Sequence, residues 1–313
     1  MNIKIKVPAT SANLGPGFDT LGLALDLWNE SVFETDTLNG LETDTQIQER
    51  ISVSVEGEGA RTISSGKSNL ILQAALKLAE LANKPLPAFK LSCVNHIPMG
   101  SGLGSSSAAI LTGLLGANAL IGEPYSRMEI LNIAAEMEGH ADNVSPALLG
   151  GLTLSSVDAM AGKLIVRQIP IAMEMCITVV LPDFHLPTKE ARAALPKQFS
   201  MKDAVHNISH TALVLEAFRS GDLNLLGEAM TDTLHQPYRL KLIPGAQSAM
   251  DAAQAAGANA VALSGAGPSL IAFSSKTESE IGEAMKREFE SANLPARIFQ
   301  LRISPQGASV IIK

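Results

Sequence analysis

The segment most able to do chemistry is the glycine and serine run at residues 98–108, Pro-Met-Gly-Ser-Gly-Leu-Gly-Ser-Ser-Ser-Ala. Glycine lets a backbone turn without a Cβ clash and approach a ligand closely, so the amides of such a loop can point inward. The apolar run that follows predicts a helix at residues 108–120, and a helix start adds unpaired N–H groups and the positive end of a dipole. These groups favour phosphate oxygens, and serine hydroxyls can bind phosphate or complete a magnesium shell. We interpret the run as a phosphate-binding loop rather than as a capped glycine turn.

A second glycine turn, at residues 264–269, has the sequence Ser-Gly-Ala-Gly-Pro-Ser and leads into a predicted strand. The chain has no Walker A loop, because the only tempting fragment, residues 66–68, has Arg61 where the leading glycine should be. His206 and His210 lie four residues apart on a predicted helix, but no acidic residue stands between them as in a zinc protease, so we interpret them as a polar helix face.

Alternating and helical patterns predict the elements that must position these loops. Residues 3–7 alternate polar and apolar side chains before Pro8, which predicts an edge strand, and Gly150 with Gly151 predicts a break between two halves. Further strands are predicted at residues 28–35, 51–55, 89–94, 175–181, 260–263, 270–274 and 296–303. Further helices are predicted at residues 69–82, 127–138, 201–219, 223–233 and 278–292.

Length and composition limit the class of protein. A chain of 313 residues with 46% hydrophobic and 18% charged residues predicts a globular protein with a sizeable core. A net charge of -7 argues against a broad nucleic-acid surface, which needs clustered cations. Cys93 and Cys176 lie in apolar stretches and lack the spacing of a metal site or a disulfide framework, which predicts buried free thiols. With no apolar run of membrane-spanning length and no signal peptide pattern, the expected location is cytoplasmic, without membrane contact.

Three segments of the chain resemble the motifs of the GHMP kinase superfamily, which is named for galactokinase, homoserine kinase, mevalonate kinase and phosphomevalonate kinase. Residues 8–19, Pro-Ala-Thr-Ser-Ala-Asn-Leu-Gly-Pro-Gly-Phe-Asp, are similar to the first motif in its homoserine kinase form. Residues 98–109 are similar to the second motif and residues 264–269 to the third, in the expected order. Residues 138–144, 181–195 and 235–239 support the homoserine kinase branch.

The resemblance implies an α+β, two-domain GHMP kinase fold, with an N-terminal half like ribosomal protein S5 domain 2 and a ferredoxin-like C-terminal half. It implies a nucleotide-binding domain at residues 1–155 and a C-terminal domain at residues 156–313. It also implies ATP-dependent phosphorylation of the L-homoserine hydroxyl in threonine biosynthesis, with ATP and Mg²⁺ as cofactors and a homodimer as the assembly.

The resemblance also assigns roles to individual residues. In the acceptor pocket, Asp19 suits an ammonium group, with Asn13 as its neutral hydrogen-bonding neighbour, and the planar forks of Arg192 and Arg239 suit a carboxylate. The catalytic positions of that pocket are His140, Asn143 and Thr188. The magnesium ligands are Ser106 and Glu138, with Ser105, Ser107 and Glu136 as the alternatives that the motif spacing leaves open. The nucleotide positions are Asn69 near adenine, Pro98, Gly100, Gly102, Leu103, Gly104, Ser105, Ser106, Ser107, Gly265 and Gly267.

Asn143 stands where related mevalonate-type kinases place an aspartate near the acceptor hydroxyl. Because an asparagine cannot take a proton, we hypothesise that the reaction proceeds without a dedicated side-chain base. Two alternatives remain: a kinase of the same superfamily acting on another alcohol such as mevalonate or shikimate, which would not need Asp19 as an ammonium partner, and a non-catalytic metabolite sensor. A sensor would be expected to lose magnesium ligands or loop serines, and the sequence retains them.

Overall fold

The computed structural model describes residues 1–35, 51–158, 162–172, 175–276 and 279–313. No helix in this part of the chain is long and apolar enough to span a membrane. The described strands, numbered along the chain, are β1 (Asn2–Ala12), β2 (Leu21–Glu34), β3 (Ser52–Gly57), β4 (Lys90–Asn95), β5 (Leu152–Val157), β6 (Leu164–Ile169), β7 (Cys176–Pro182), β8 (Ala260–Leu263), β9 (Leu270–Ser274), β10 (Ala296–Leu301) and β11 (Ser309–Ile312).

The helices start and stop where local sequence signals place them. Asn69 caps the first helix by accepting the backbone N–H groups of Ile71 and Leu72, and serines at positions 126 and 200 form capping boxes. The described α-helices are α1 (Leu70–Ala82), α2 (Ser105–Leu120), α3 (Arg127–Glu138), α4 (Val144–Leu149), α5 (Thr188–Ala193), α6 (Met201–Ser220), α7 (Leu223–Ala229), α8 (Gln236–Arg239), α9 (Ala246–Ala255) and α10 (Ser279–Ser291).

Seven of the described strands form the first sheet, in the order β11-β1-β2-β4-β3, with β5 paired to β2 and β6 paired to β5. Only β3 and β4 run parallel; the other pairs are antiparallel. Helices α1 and α2 pack on each other, and α2 packs on β1. Helix α2 is buried on nearly every side, as its apolar sequence requires.

The second sheet has the order β10-β7-β9-β8 and is antiparallel throughout. Its chain order is β-α-β-β-α-β, with α5 to α9 in the first connection and α10 in the second, which is the ferredoxin-like arrangement. The mixed architecture of two sheets with helices confirms the predicted α+β class.

Three sequence predictions about the first sheet and the helix that packs on it need correction. Strand β1 is not an edge strand, because β11 covers its free side. Gly150 and Gly151 form a turn that leads into β5, which pairs with β2, so they do not separate two halves. Helix α2 begins at Ser105, three residues earlier than predicted, so the loop serines belong to its first turn.

The sheets do not follow the predicted domain ranges. The boundary at residue 155 falls within β5, and β6 and β11, which belong to the predicted C-terminal range, lie in the first sheet. Strands β11 and β6 join the first sheet because the backbone N–H and C=O groups on one edge of β1 and of β5 would otherwise lack strand partners.

Candidate active site

Three loops that are far apart in sequence meet at one cleft. The Asn13 side-chain amide donates to the carbonyl oxygen of Gly265 over 2.8 Å. The Ser264 hydroxyl donates to the carbonyl oxygen of Gly102 and also lies 2.8 Å from the hydroxyl of Ser11. These contacts join the loops after β1, before α2 and after β8 around a cavity of about 290 Å³.

The loop at residues 98–104 adopts a backbone that requires glycine. Gly102 and Gly104 have φ angles of 80° and 71°, in the left-handed region. A Cβ atom on Gly102 would stand 2.2 Å from the carbonyl oxygen of Ser264, and one on Gly104 would stand 1.9 Å from the Thr10 hydroxyl oxygen. Gly104 also caps α2 without a side chain, which leaves the N–H groups of the first helical turn for a ligand in the cleft.

Two oxygen-bearing side chains converge at the start of α2. The Ser106 hydroxyl donates to Oε1 of Glu138 over 2.5 Å. Glu138 ends α3, where Gly139 terminates the helix in the left-handed region. Ser105, Ser106 and Glu138 line the cleft, whereas Glu136 is exposed outside the lining. A hydroxyl and a carboxylate are the hard oxygen donors that Mg²⁺ accepts, so the donor set fits this ion.

The segment after α3 forms the floor of the cleft. His140 Nδ1 lies 2.6 Å from Oδ1 of the buried Asp142. Burial alone would lower the pKa of His140, but the hydrogen bond and charge of Asp142, with the charges of Glu138 and Asp19, raise that pKa above 6.5. The neighbouring Asn143 accepts a 2.7 Å hydrogen bond on Oδ1 from the Thr10 hydroxyl, so its amide orientation is fixed by β1.

The two residues predicted to meet opposite ends of an amino acid are paired with each other. Arg192 donates two hydrogen bonds, of 2.8 and 2.9 Å, to the carboxylate of Asp19. Asp19 also donates its backbone N–H to Oδ1 of Asn13, whose amide nitrogen is bound to Gly265, so Asn13 holds the loops together. Both Arg192 and Asp19 line the cleft and remain partly exposed there.

Helix α5 supplies two of the predicted acceptor-pocket residues. Thr188 is its first residue and Arg192 its fifth, and residues four apart share one face of a helix. Both residues line the cleft. The helix therefore presents a hydroxyl and a guanidinium to the same cavity.

Arg239 is a charged residue in the interior. Only 2% of its surface is exposed, although the residue lines the cleft. Its Nε donates to the carbonyl oxygen of Ala191, and its Nη1 donates to that of Gly265, each over 3.3 Å. Burial, then the positive charge of Arg192, lowers the pKa of Arg239 to about 10, so it stays charged at neutral pH. Among the described residues, no carboxylate forms an ion pair with it.

The structure brings most predicted site residues into one cavity and leaves four outside its lining. Asn69 is buried as the cap of α1, and its amide nitrogen donates to the carbonyl oxygen of Ser64. Pro98, Leu103 and Ser107 are buried beneath the loop. The predicted residues that line the cavity are Asn13, Asp19, Gly100, Gly102, Gly104, Ser105, Ser106, Glu138, His140, Asn143, Thr188, Arg192, Arg239, Gly265 and Gly267.

Sequence reasoning assigned no role to three residues that shape the site. Asp142 lines the cleft and binds His140. The Phe18 ring has the guanidinium carbons of both Arg192 and Arg239 over it, at 5.5 and 5.1 Å from its centroid. His235 packs beneath that ring. Each of the three residues lies within a segment that resembles a family motif. Its place near a residue with an assigned role was therefore the sequence signal that could have identified it.

The two histidines four residues apart and the two cysteines lie outside the cleft lining. The His206 and His210 rings stack with centroids 3.7 Å apart, and each has a ring nitrogen near the Thr231 hydroxyl. The described residues contain no group of three or more His, Cys, Asp or Glu placed to hold a metal ion. Neither cysteine forms a disulfide; Cys93 is buried as predicted, whereas Cys176 is only half-buried.

Family models match both parts of the chain. The model described as GHMP kinases N terminal domain matches residues 69–151, and the model described as GHMP kinases C terminal matches residues 214–291. A crystal structure of mevalonate kinase from L. major, in complex with R-mevalonate, superposes with a TM-score of 0.68 at 16% identity over 97% of this chain and 96% of that one. That similarity shows a shared fold.

Full-length relatives narrow the assignment. The homoserine kinase of Moorella thermoacetica is 41% identical over 98% of this chain and 99% of its own length. That of Synechococcus sp. is 40% identical over 99% of this chain and 98% of its own length. The crystal structure of homoserine kinase from Cytophaga hutchinsonii superposes with a TM-score of 0.85 at 30% identity, covering 99% of this chain and 97% of that one. The chain therefore belongs to the homoserine kinase family, within the GHMP kinases.

Proposed function

We propose that this protein transfers the γ-phosphoryl group of ATP to the side-chain hydroxyl of L-homoserine, which yields O-phospho-L-homoserine for threonine biosynthesis. The observation that carries the proposal is Arg239, a buried guanidinium without a carboxylate partner among the described residues, in the same cleft as the glycine loop. A buried unpaired charge is costly, and a substrate carboxylate would relieve that cost.

The proposal assigns the nucleotide to the loop that precedes α2. The left-handed turns at Gly100, Gly102 and Gly104 and the free N–H groups of the first helical turn suit the phosphate oxygens of ATP. Ser106 and Glu138 would hold Mg²⁺, which would offset the negative charge of the phosphate groups. Catalysis then rests on positioning and electrostatic stabilisation rather than on covalent chemistry.

The proposal assigns the acceptor to the other end of the cleft. A zwitterionic amino acid would exchange partners with the Asp19 and Arg192 pair, its ammonium group meeting Asp19 and its carboxylate meeting Arg192 and Arg239. Thr188 and Asn143 would then lie beside the acceptor hydroxyl. This use of both charges distinguishes an amino acid acceptor from mevalonate or shikimate, which carry no ammonium group.

The hydroxyl proton has no side-chain base in this proposal. Asn143 cannot accept a proton, and its amide oxygen already accepts from Thr10. The proton therefore passes late to the phosphoryl oxygens or to solvent.

We also propose, from the family resemblance, that the enzyme works as a cytoplasmic homodimer.

The test is coupled ADP release with ATP and Mg²⁺ across L-homoserine, L-serine, L-threonine, mevalonate and shikimate. We expect turnover with L-homoserine and background rates with the other compounds. A reaction without an acceptor gives the background ATPase rate. Turnover with mevalonate or shikimate instead would support a different kinase of the superfamily, and no acceptor-dependent release with any compound would support a metabolite sensor.

A further inference from the structure

His235 is a fully buried titratable residue outside the cleft lining and in contact with Arg239. Its Nε2 lies 2.8 Å from the carbonyl oxygen of Gly15, and its Nδ1 lies 3.4 Å from Nη1 of Arg239. The imidazole therefore stands between the loop that follows β1 and the buried guanidinium. None of the roles assigned above explains this placement.

The two partners determine the tautomer of the ring. A carbonyl oxygen only accepts, so Nε2 must carry the proton that is donated to Gly15. A guanidinium only donates, so Nδ1 must be an unprotonated acceptor for Arg239. His235 is therefore neutral. Burial favours the same neutral form by lowering the pKa of His235, and the charge of Arg239 adds to this effect, although the charge of Asp232 opposes it.

The backbone around His235 is held as firmly as its ring. Asp232 accepts the backbone N–H groups of His235 and Gln236 on Oδ2, over 2.8 and 2.6 Å. The ring also stacks on Phe18, with centroids 5.3 Å apart, and Phe18 contacts the same guanidinium. An imidazole fixed in this way can orient a neighbour.

The guanidinium that it contacts retains free donors. Nε and Nη1 of Arg239 bind the carbonyl oxygens of Ala191 and Gly265, and Nη1 also meets His235. Within the described part of the chain, Nη2 makes no hydrogen bond, although the residue lines the cleft. Fixing Nη1 therefore sets the plane in which Nη2 can meet a ligand.

We propose that His235 is a positioning residue that holds the Arg239 guanidinium in the orientation that receives the acceptor carboxylate, and ties it to the loop that carries Asp19. The inference rests on the proposed function and deepens it by naming what sets specificity for the carboxylate. His235 does not touch the acceptor; it acts through Arg239.

Two substitutions separate the two hydrogen bonds of the ring. His235→Gln can keep a donor near the Nε2 position but loses the acceptor for Arg239, whereas His235→Asn can keep an acceptor near the Nδ1 position. We expect His235→Gln to raise KM for L-homoserine about tenfold, with kcat and KM for ATP within about twofold of wild type. We expect His235→Asn to keep KM for L-homoserine within about threefold of wild type.

The controls separate positioning from a structural effect. His210→Gln makes the same change at a half-buried histidine outside the cleft, and KM for L-homoserine should not change. Arg239→Lys should itself raise KM for L-homoserine far more than KM for ATP, because an ammonium group cannot keep the bonds to Ala191 and Gly265 and also present a donor at the Nη2 position. If His235 acts through Arg239, adding His235→Gln to Arg239→Lys should cause little further increase.

Each outcome decides between the proposals. No homoserine-dependent ADP release by the wild-type protein would refute the proposed function itself. If the wild-type protein turns over homoserine, three results would overturn only the role of His235. These are an unchanged KM for L-homoserine in His235→Gln, an equal rise in the KM values for L-homoserine and ATP, and fully additive effects in the double variant. If His235→Gln does not fold, His235→Asn decides the question. A tenfold rise in its KM for L-homoserine would overturn the role, because the retained acceptor should still hold Arg239, and a KM near that of wild type would support the role.

Discussion

At the scale of single residues, the cleft holds two arginines with different environments. Arg192 is partly exposed and already paired with Asp19, whereas Arg239 is buried and retains its charge without such a pair among the described residues. A partly exposed pair contributes little to stability because solvent screens it. In the proposed acceptor site, Arg192 would exchange its carboxylate partner, and Arg239 would gain one from the substrate.

His140 supplies a pH-dependent test at this scale. Its pKa in the folded protein is raised above 6.5, so its pairing with Asp142 stabilises the fold below about pH 6.5 and is lost as pH rises through the folded pKa. We expect His140→Gln to lower the free energy of unfolding more at pH 6 than at pH 9. Urea unfolding at both pH values measures this difference.

The control for this experiment is Gln73→Ala, which changes an exposed residue that does not titrate and lies outside the cleft lining. Its effect on the free energy of unfolding should be similar at the two pH values. A larger destabilisation by His140→Gln at pH 9 than at pH 6 would contradict the assigned direction of the shift.

At the scale of elements, the predicted phosphate-binding loop and the start of α2 require positions without a side chain. Gly104 caps α2 and lies against Thr10, which in turn holds the amide of Asn143. One backbone position therefore connects the predicted nucleotide loop to the predicted acceptor pocket.

Gly104→Ala should damage both stability and activity. The left-handed backbone costs alanine about 1 kcal/mol, and the clash with Thr10 adds about 1 to 3 kcal/mol, so we expect a total loss of about 2 to 4 kcal/mol. Displacement of Thr10 should also reduce kcat, because Asn143 loses its hydrogen bond. Urea unfolding and ADP-release kinetics measure these effects.

The matched control is Gly122→Ala. Gly122 has a φ angle of 85°, but a Cβ there would meet nothing within 4 Å. It should lose only about 1 kcal/mol, from the backbone conformation, and keep its kcat. Equal losses in the two variants would show that packing against Thr10 contributes nothing.

At the scale of the whole molecule, the first sheet depends on a strand from the far end of the sequence. Strand β11 covers the free edge of β1, and the backbone groups of Asn2 and Lys313 exchange two hydrogen bonds. Strand β1 leads directly into the loop that carries Asn13 and Asp19. The support for the site therefore includes both ends of the described chain.

Removal of residues 309–313 should destabilise the whole protein rather than only one edge. We expect a loss of about 2 to 5 kcal/mol, from several ladder hydrogen bonds at about 0.5 to 1.5 kcal/mol each. Lys313→Ala retains the backbone bonds and is the control. Thermal unfolding with the same midpoint for the shortened chain and wild type would show that β11 is dispensable.

Local sequence patterns determined most of the elements and the two glycine turns. Helix α3 and strands β8 and β9 occur at the predicted residues, and α1 begins one residue after its predicted start, because capping, turn chemistry and side-chain periodicity act over a few residues. The α+β class and the motif at residues 8–19 came from the family resemblance. The two glycine turns could be found in the sequence itself, because glycine positions and serine runs are visible without any partner.

Only the tertiary structure decided which of these segments meet. The pairing of Asp19 with Arg192 joins residues 173 positions apart, and that of His235 with Gly15 joins residues 220 positions apart. The covering of β1 by β11 is a contact of the same kind. Such contacts depend on which strands pair across the sheets and on the free-energy cost of burying a charge. Local side-chain periodicity carries no information about either.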